Sequence, residues 1–210
     1  MTDKSTQAAE TYNSISKEYA ETFSEPSDHI DEFLAAVSKG RKILDAGCGP
    51  GVDSKYMVEK GFEVIGLDLS SQMIQLARKK SPGTKFLLAD LREIDFEDGS
   101  FDGLLASYSL IHVPKKDAPR TLSAFFEVLK PGGVACIGIQ EGTSSEVFLP
   151  EPLKPDQKMF LNVMSAEELK ELMQTAGFEN AFEFVRKAEL AEPGEFELNK
   201  YVLICRKPAD

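Results

Sequence analysis

Short apolar runs alternate along this chain with longer amphipathic ones. The runs at 42–46, 63–68, 85–89, 101–106 and 134–139 have strand length and are rich in Val, Ile, Leu and Phe. Between them lie stretches with helical spacing. Residues 52–60 follow the first run, and 72–80 follow the second, with Ser70 or Ser71 placed to cap them. Residues 117–130 carry Leu122, Phe125, Phe126 and Leu129 on one face, and Pro131-Gly132-Gly133 stops them. Ser165-Ala166-Glu167-Glu168 reads as a capping box opening a helix that ends at Gly177. The last runs, 183–185 and 201–205, have no helix between them and predict an antiparallel hairpin on a sheet edge. This alternation predicts an α/β domain on a mainly parallel sheet with helices on both faces.

Two regions fall outside the pattern. Residues 1–40 look helical, with Tyr12, Ile15, Tyr19 and Phe23 at helical spacing. Residues 140–164, which contain Pro150, Pro152 and Pro155, read as an irregular segment, and such segments beside a sheet are often functional. A length of 210 residues fits one domain, divided here into an N-terminal helical part, 1–40, and a core, 41–210.

Composition narrows the partners. The net charge is −11, and residues 141–198 hold 13 acids against 5 bases. A negative field repels phosphate backbones, so nucleic acid is excluded as an expected partner. No apolar run approaches 18 residues, so no membrane span is expected, and the polar N-terminus has no signal core. Cys48, Cys136 and Cys205 are too widely spaced for a metal site and odd in number. They read as reduced thiols of a cytoplasmic protein.

The most telling chemistry lies in Ile43-Leu44-Asp45-Ala46-Gly47-Cys48-Gly49-Pro50-Gly51. A glycine loop between a strand and a helix lets backbone approach a nucleotide-like ligand closely. Asp68, ending the next run, stands where an acid commonly binds ribose hydroxyls. A dinucleotide fingerprint would place its third glycine at position 52, but that residue is Val52. Asp45 would also repel a pyrophosphate. It suits an ammonium group, while the loop's amides can serve a carboxylate. A ligand with an amino acid end and an adenosine end meets these demands, and a nicotinamide dehydrogenase is disfavoured.

These residues resemble the class I S-adenosylmethionine-dependent methyltransferases, especially the small-molecule group that includes the ubiquinone/menaquinone methyltransferases. The resemblance spans about residues 10–180. It rests on the glycine signature and its order with Gly66-Leu67-Asp68-Leu69-Ser70, Ala89-Asp90-Leu91, Phe101-Asp102-Gly103-Leu104-Leu105-Ala106 and Leu129-Lys130-Pro131-Gly132-Gly133. It implies a Rossmann-like seven-stranded sheet of order 3-2-1-4-5-7-6 with strand 7 antiparallel, and S-adenosyl-L-methionine as cofactor. Asp45, Ala46 and the loop Gly47, Cys48, Gly49 and Gly51 would hold its methionine end. Asp68 would take the ribose hydroxyls through both oxygens. Leu69 and Met73 would pack on the adenine, with Asp90 and Leu91 at its edge. Ala106 and Ser107 would line the pocket near the sulfonium. Tyr12 and Tyr19 match aromatic positions on the family's N-terminal helix, which covers the cofactor.

Methyl transfer is an in-line displacement, so the enzyme's task is alignment and exclusion of water. A base is needed only where the nucleophile must lose a proton. The histidines are His29 and His112. His112 follows the fourth strand, on the side where ligands collect, and is the candidate base; the alternative is that it packs or orients its loop. Glu141 is a second candidate for acceptor contact. Lys158 stands where many relatives have an arginine, which puts that anchor role in doubt. The expected activity is methyl transfer to a small-molecule acceptor. A regulatory or scaffold protein that binds the cofactor without turnover is the competing reading.

Overall fold

The computed structural model of the protein describes residues 3–209. The chain runs α1 (Lys4–Thr22), α2 (Ile30–Ala36), β1 (Lys42–Ala46), α3 (Val52–Glu59), β2 (Glu63–Asp68), α4 (Ser71–Lys80), β3 (Lys85–Leu88) and β4 (Phe101–Ser107). It continues through α5 (Ala118–Val128), β5 (Leu129–Glu141), β6 (Ser145–Glu151), β7 (Lys154–Val163), α6 (Ala166–Thr175), β8 (Glu179–Arg186) and β9 (Asn199–Arg206). Seven strands form one sheet in the order β3-β2-β1-β4-β5-β9-β8. Strands β3, β2, β1, β4 and β5 pair in parallel, and β9 runs antiparallel to both neighbours. This is the expected order, with β9 and β8 in the places of the expected strands 7 and 6.

The strands alternate their side chains between two packed layers. On one face Leu44, Leu104 and Ile137 meet Leu122 and Phe125 of α5 and Leu169 and Met173 of α6. On the other, Ile43, Leu105 and Cys136 meet Phe33 of α2 and Met57 of α3. Phe33 and Phe125 are fully buried, and burying a side chain of that size stabilises by about 1.5–3 kcal/mol. Helix α2 therefore belongs to a sheet layer, while α1 touches α4 and β7 at the carboxyl ends of the strands.

Two expectations need correction. The segment 140–164 is not irregular. It forms a two-stranded antiparallel ribbon, β6–β7. Val147 and Leu149 alternate inward with Met159 and Leu161, and Pro150 sits where the register shifts, a place a sheet edge tolerates proline. The helix expected over 117–130 ends at Val128, and the chain enters β5 at Leu129 without a loop. Pro131-Gly132-Gly133 is accommodated inside β5, where the pairing with β4 jumps from Phe101–Leu129 to Gly103–Val134. Ser70 is the cap of α4, accepting from the Met73 amide at 3.2 Å, and Ser165 caps α6 by accepting from Glu168.

Candidate functional site

The glycine loop leaves β1 and is stitched to the end of β2. The amides of Gly47 and Cys48 donate to the Leu67 carbonyl at 2.8 and 2.9 Å, and Gly51 donates to Cys48. The Gly49 amide donates to Asp68 at 2.9 Å. These four amides are therefore committed within the protein, and the expectation that they stand free for a ligand carboxylate does not hold. The glycines do other work. A Cβ on Gly47 would overlap Ser109, and one on Gly51, with φ of 80°, would press on Ala77. A Cβ on Gly49 would meet no atom within 4 Å, because that residue faces an open cavity.

That cavity lies between the loop and α1. Asp68, Leu69, Met73, Asp90 and Leu91 form one wall. The other is formed by Ser5, Tyr12, Tyr19 and His112. Asp68 accepts one backbone amide on each oxygen, from Gly49 and from Ser70 at 2.8 Å. Each oxygen keeps a further lone pair for a ligand hydroxyl. Burial raises its pKa. Asp45 is deeper and accepts from the Ser54 hydroxyl. Burial, helped by the charge of Asp53, lifts its pKa to about 8.

Helix α1 closes this cavity through polar contacts. Arg92 holds Asp90 and also forks onto Asp3, the cap of α1, at 2.9 and 2.8 Å. Asn13 accepts from the Ser70 hydroxyl at 2.8 Å and the Gln72 amide at 3.1 Å. Tyr12 Oη lies 2.9 Å from His112 Nε2, and His112 Nδ1 lies 3.0 Å from the Phe160 carbonyl. A carbonyl only accepts, so Nδ1 carries the hydrogen and Nε2 accepts from Tyr12. Burial holds the imidazole pKa down at about 4, keeping it neutral. Its basic nitrogen is already occupied.

A second cavity opens beyond Tyr12 and Tyr19, with Gly47, Ser107 and Tyr108 shared between the two. Tyr108 has φ of 55°, the one described non-glycine residue with positive φ. Its amide donates to Gly138 at 3.1 Å, and a Cβ on Gly138 would crowd the Tyr108 ring and amide. Strained backbone of this kind gathers at functional sites. Polar groups line the rest. Ser27 donates to Asp53 through both its amide, 2.8 Å, and its hydroxyl, 2.6 Å. The Ser27 and Ser107 hydroxyls lie 2.9 Å apart. Arg186 Nη2 and Lys200 Nζ both contact Glu195.

Residues 43–133 match the family described as methyltransferase domain. The chain carries a class I S-adenosylmethionine-dependent methyltransferase domain. It is 34% identical over 154 residues to a putative methyltransferase YqeM of Bacillus subtilis, covering 70% of this chain and 62% of that protein. It is 40% identical over 109 residues to a malonyl-[acyl-carrier protein] O-methyltransferase of Salmonella typhimurium, covering 50% and 43%. The chain thus spans less than two thirds of these curated relatives. The fold superposes on the 1,6-didemethyltoxoflavin-N1-methyltransferase of Burkholderia thailandensis with a TM-score of 0.75 at 21% identity, covering 95% and 87%. That structure holds 1,6-didemethyltoxoflavin and S-adenosylhomocysteine.

The cofactor of such a domain is S-adenosylmethionine, and the two adjoining cavities suit it: Asp68 in the first offers acceptors fit for ribose hydroxyls, Asp45 in the second offers a carboxyl fit for an ammonium, and Gly49 leaves room between them. Of the residues singled out from sequence, Tyr12, Tyr19, Gly47, Gly49, Asp68, Leu69, Met73, Asp90, Leu91, Ser107 and His112 line the first cavity. Asp45 and Cys48 reach the second. Ala46, Gly51 and Ala106 line neither. Ala46 and Ala106 are buried inside the sheet core, and the Ala46 carbonyl accepts from Ser109. Asp90 has both oxygens on Arg92 instead of a free edge. Glu141 turns to Asn199 at 3.2 Å, and Lys158 is exposed on β7. Sequence reasoning missed Arg92, Asn13, Ser27, Gln140, Glu151 and Lys200. Strand alternation beside Glu141 was the available signal for Gln140; the others have none.

Proposed function

We propose that the protein transfers a methyl group from S-adenosylmethionine, lying in the first cavity with its amino acid end reaching Asp45 in the second, to a small-molecule acceptor held in the remainder of the second cavity. The observation that carries this reading is the pair of adjoining cavities meeting at Gly47, Ser107, Tyr108, Tyr12 and Tyr19. When bound, the cofactor supplies an electrophilic methyl on a sulfonium that is already a good leaving group. The chain's own residues supply position. Asp68 binds the ribose hydroxyls and Asp45 the ammonium, while Leu69, Met73 and Leu91 give the adenine an apolar wall. Residues 1–40 act partly as a cap, with α1 excluding water from the reacting centre. Tyr108 and Ser107 lie where acceptor and methyl meet.

His112 serves position rather than proton removal in this reading. Its Nε2 accepts from Tyr12, so it locks the α1 phenol over the junction. Calorimetry tests the reading: S-adenosylmethionine and S-adenosylhomocysteine should bind, and NAD should not. Release of S-adenosylhomocysteine should then depend on an added acceptor. Binding of NAD alone overturns the assignment. Cofactor binding without turnover on any acceptor would support the regulatory reading instead.

A further inference from the structure

The second cavity carries more negative charge than its neighbours neutralise. Four acids line the two cavities: Asp45 and Glu151, which are buried, and Asp53 and Asp68, which are partly buried. Among the described residues, no lysine or arginine comes within ion-pair distance of any of them. The cations that do line the acceptor side are committed elsewhere. Arg186 Nη2 reaches both oxygens of Glu195 at 2.6 Å, and its Nε lies 3.8 Å from Asp28. Lys200 shares Glu195 and sits 4.9 Å over the Tyr108 ring. With Asp28, Glu192 and Glu195 counted, the acids of this group outnumber its two cations.

Glu151, only 3% exposed, takes one long 3.3 Å bond from the Leu153 amide. It lines the second cavity together with Tyr12 and Tyr19, which also line the first. A second observation is independent of charge. Gln140, 5% exposed, lines the same cavity from β5, and its Oε1 has no hydrogen-bond partner. A buried acceptor without a donor is costly. Both groups therefore ask for a ligand that brings N–H donors and positive charge.

We infer that the acceptor is a small nitrogen compound, an amine or a nitrogen heterocycle, recognised by Glu151 and Gln140. The inference rests on the methyltransferase reading and names its substrate class. The cofactor's ammonium is matched by Asp45, which becomes a carboxylate when it binds, and the cofactor's sulfonium and carboxylate offset each other, so buried Glu151 is left without a cation. An oxyanion acceptor would add to the excess. The nitrogen lone pair forms the new N–C bond, and the C–S bonding pair returns to sulfur. Positive charge thereby moves to nitrogen beside Glu151 and is not lost. An amine that arrives protonated gives that proton to the Glu151 carboxylate before it attacks.

The test is calorimetric and needs no turnover. The full chain is first titrated with S-adenosylhomocysteine, then the loaded protein with phenethylamine, histamine, 2-phenylethanol and phenylacetate. The amines should bind, and the alcohol and carboxylate should bind at least tenfold more weakly. Glu151→Gln should weaken the amines by about 10- to 150-fold while leaving S-adenosylhomocysteine affinity unchanged, which also reports a folded protein. Gln140→Leu should act in the same direction and less strongly. Failure of S-adenosylhomocysteine to bind would sink the methyltransferase reading. Its binding, with no amine bound or with phenylacetate preferred, overturns the acceptor class alone. Unaltered amine affinity in Glu151→Gln overturns the role of that carboxylate.

Discussion

The two cavities share a wall yet are built differently. The cofactor side is made largely from consecutive strand ends: the loop after β1, Asp68 ending β2 and Asp90 after β3. The acceptor side is gathered from distant segments, including Ser27, Tyr108, Gln140, Glu151 and Lys200. The first is held by backbone bonds, as where Leu67 and Asp68 pin Gly47, Cys48 and Gly49. The second depends on side-chain charges. The cofactor cavity can therefore keep one shape while the acceptor cavity changes residue by residue, which is how one fold hosts many functions.

The comparison breaks first at Asp68. Asp68→Ala removes the ribose acceptors and the anchor of the Gly49 amide together. S-adenosylhomocysteine affinity should fall by about 10- to 150-fold, measured by calorimetry with circular dichroism as the folding control. Equal affinity in variant and parent would place the ribose elsewhere.

Asp45 should make cofactor affinity depend on pH. Its folded pKa of about 8 is raised, so below that value the free protein carries a proton there. An ammonium ligand favours the carboxylate, and binding must release that proton. Affinity should therefore rise with pH by about tenfold per unit between about pH 6 and 8, then level off. In the ligand-free protein, the raised pKa means that stability from this group is greatest at low pH and declines as pH rises from about 4 toward 8. Asp45→Asn should flatten the affinity slope; a slope that persists assigns the proton to another group.

Gly51→Ala tests the supports beneath the cofactor cavity. Its φ of 80° costs an L-residue about 1–2 kcal/mol, and the new Cβ would come within 2.9 Å of Ala77. For a chain of this length, thermal unfolding should fall by at least roughly 2–8 °C. An unchanged Tm would mean that the loop relaxes freely. The smallest effect is expected from Tyr12→Phe, which removes one hydrogen bond to His112. It should cost about 0.5–1.5 kcal/mol of stability and leave S-adenosylhomocysteine affinity within a few-fold. A large loss of affinity would show that the phenol touches the cofactor directly.

Much of this molecule was legible because its signals are local. Apolar runs of strand length, caps such as Ser70 and Ser165, and glycines at forced positive φ act over a few residues, and they gave the strand order once the resemblance was applied. The β6–β7 ribbon was misread because three prolines disguised a clear alternation at Val147, Leu149, Met159 and Leu161. Proline signals a break only where the ladder needs its missing hydrogen, and a two-stranded edge does not.

The sequence by itself determined the α/β architecture, the glycine loop and the acids at the ends of β1 and β2. These follow from periodicity and from short spacings along one chain. Tertiary structure decided which of those groups are free. It committed the loop amides to Leu67 and Asp68, spent both oxygens of Asp90 on Arg92, and paired Tyr12 with His112 across 100 positions. It also left Glu151 and Gln140 wanting donors in a cavity whose lysine and arginine face Glu195. Charge and hydrogen-bond balance are properties of neighbours in space, and no spacing along the chain records them.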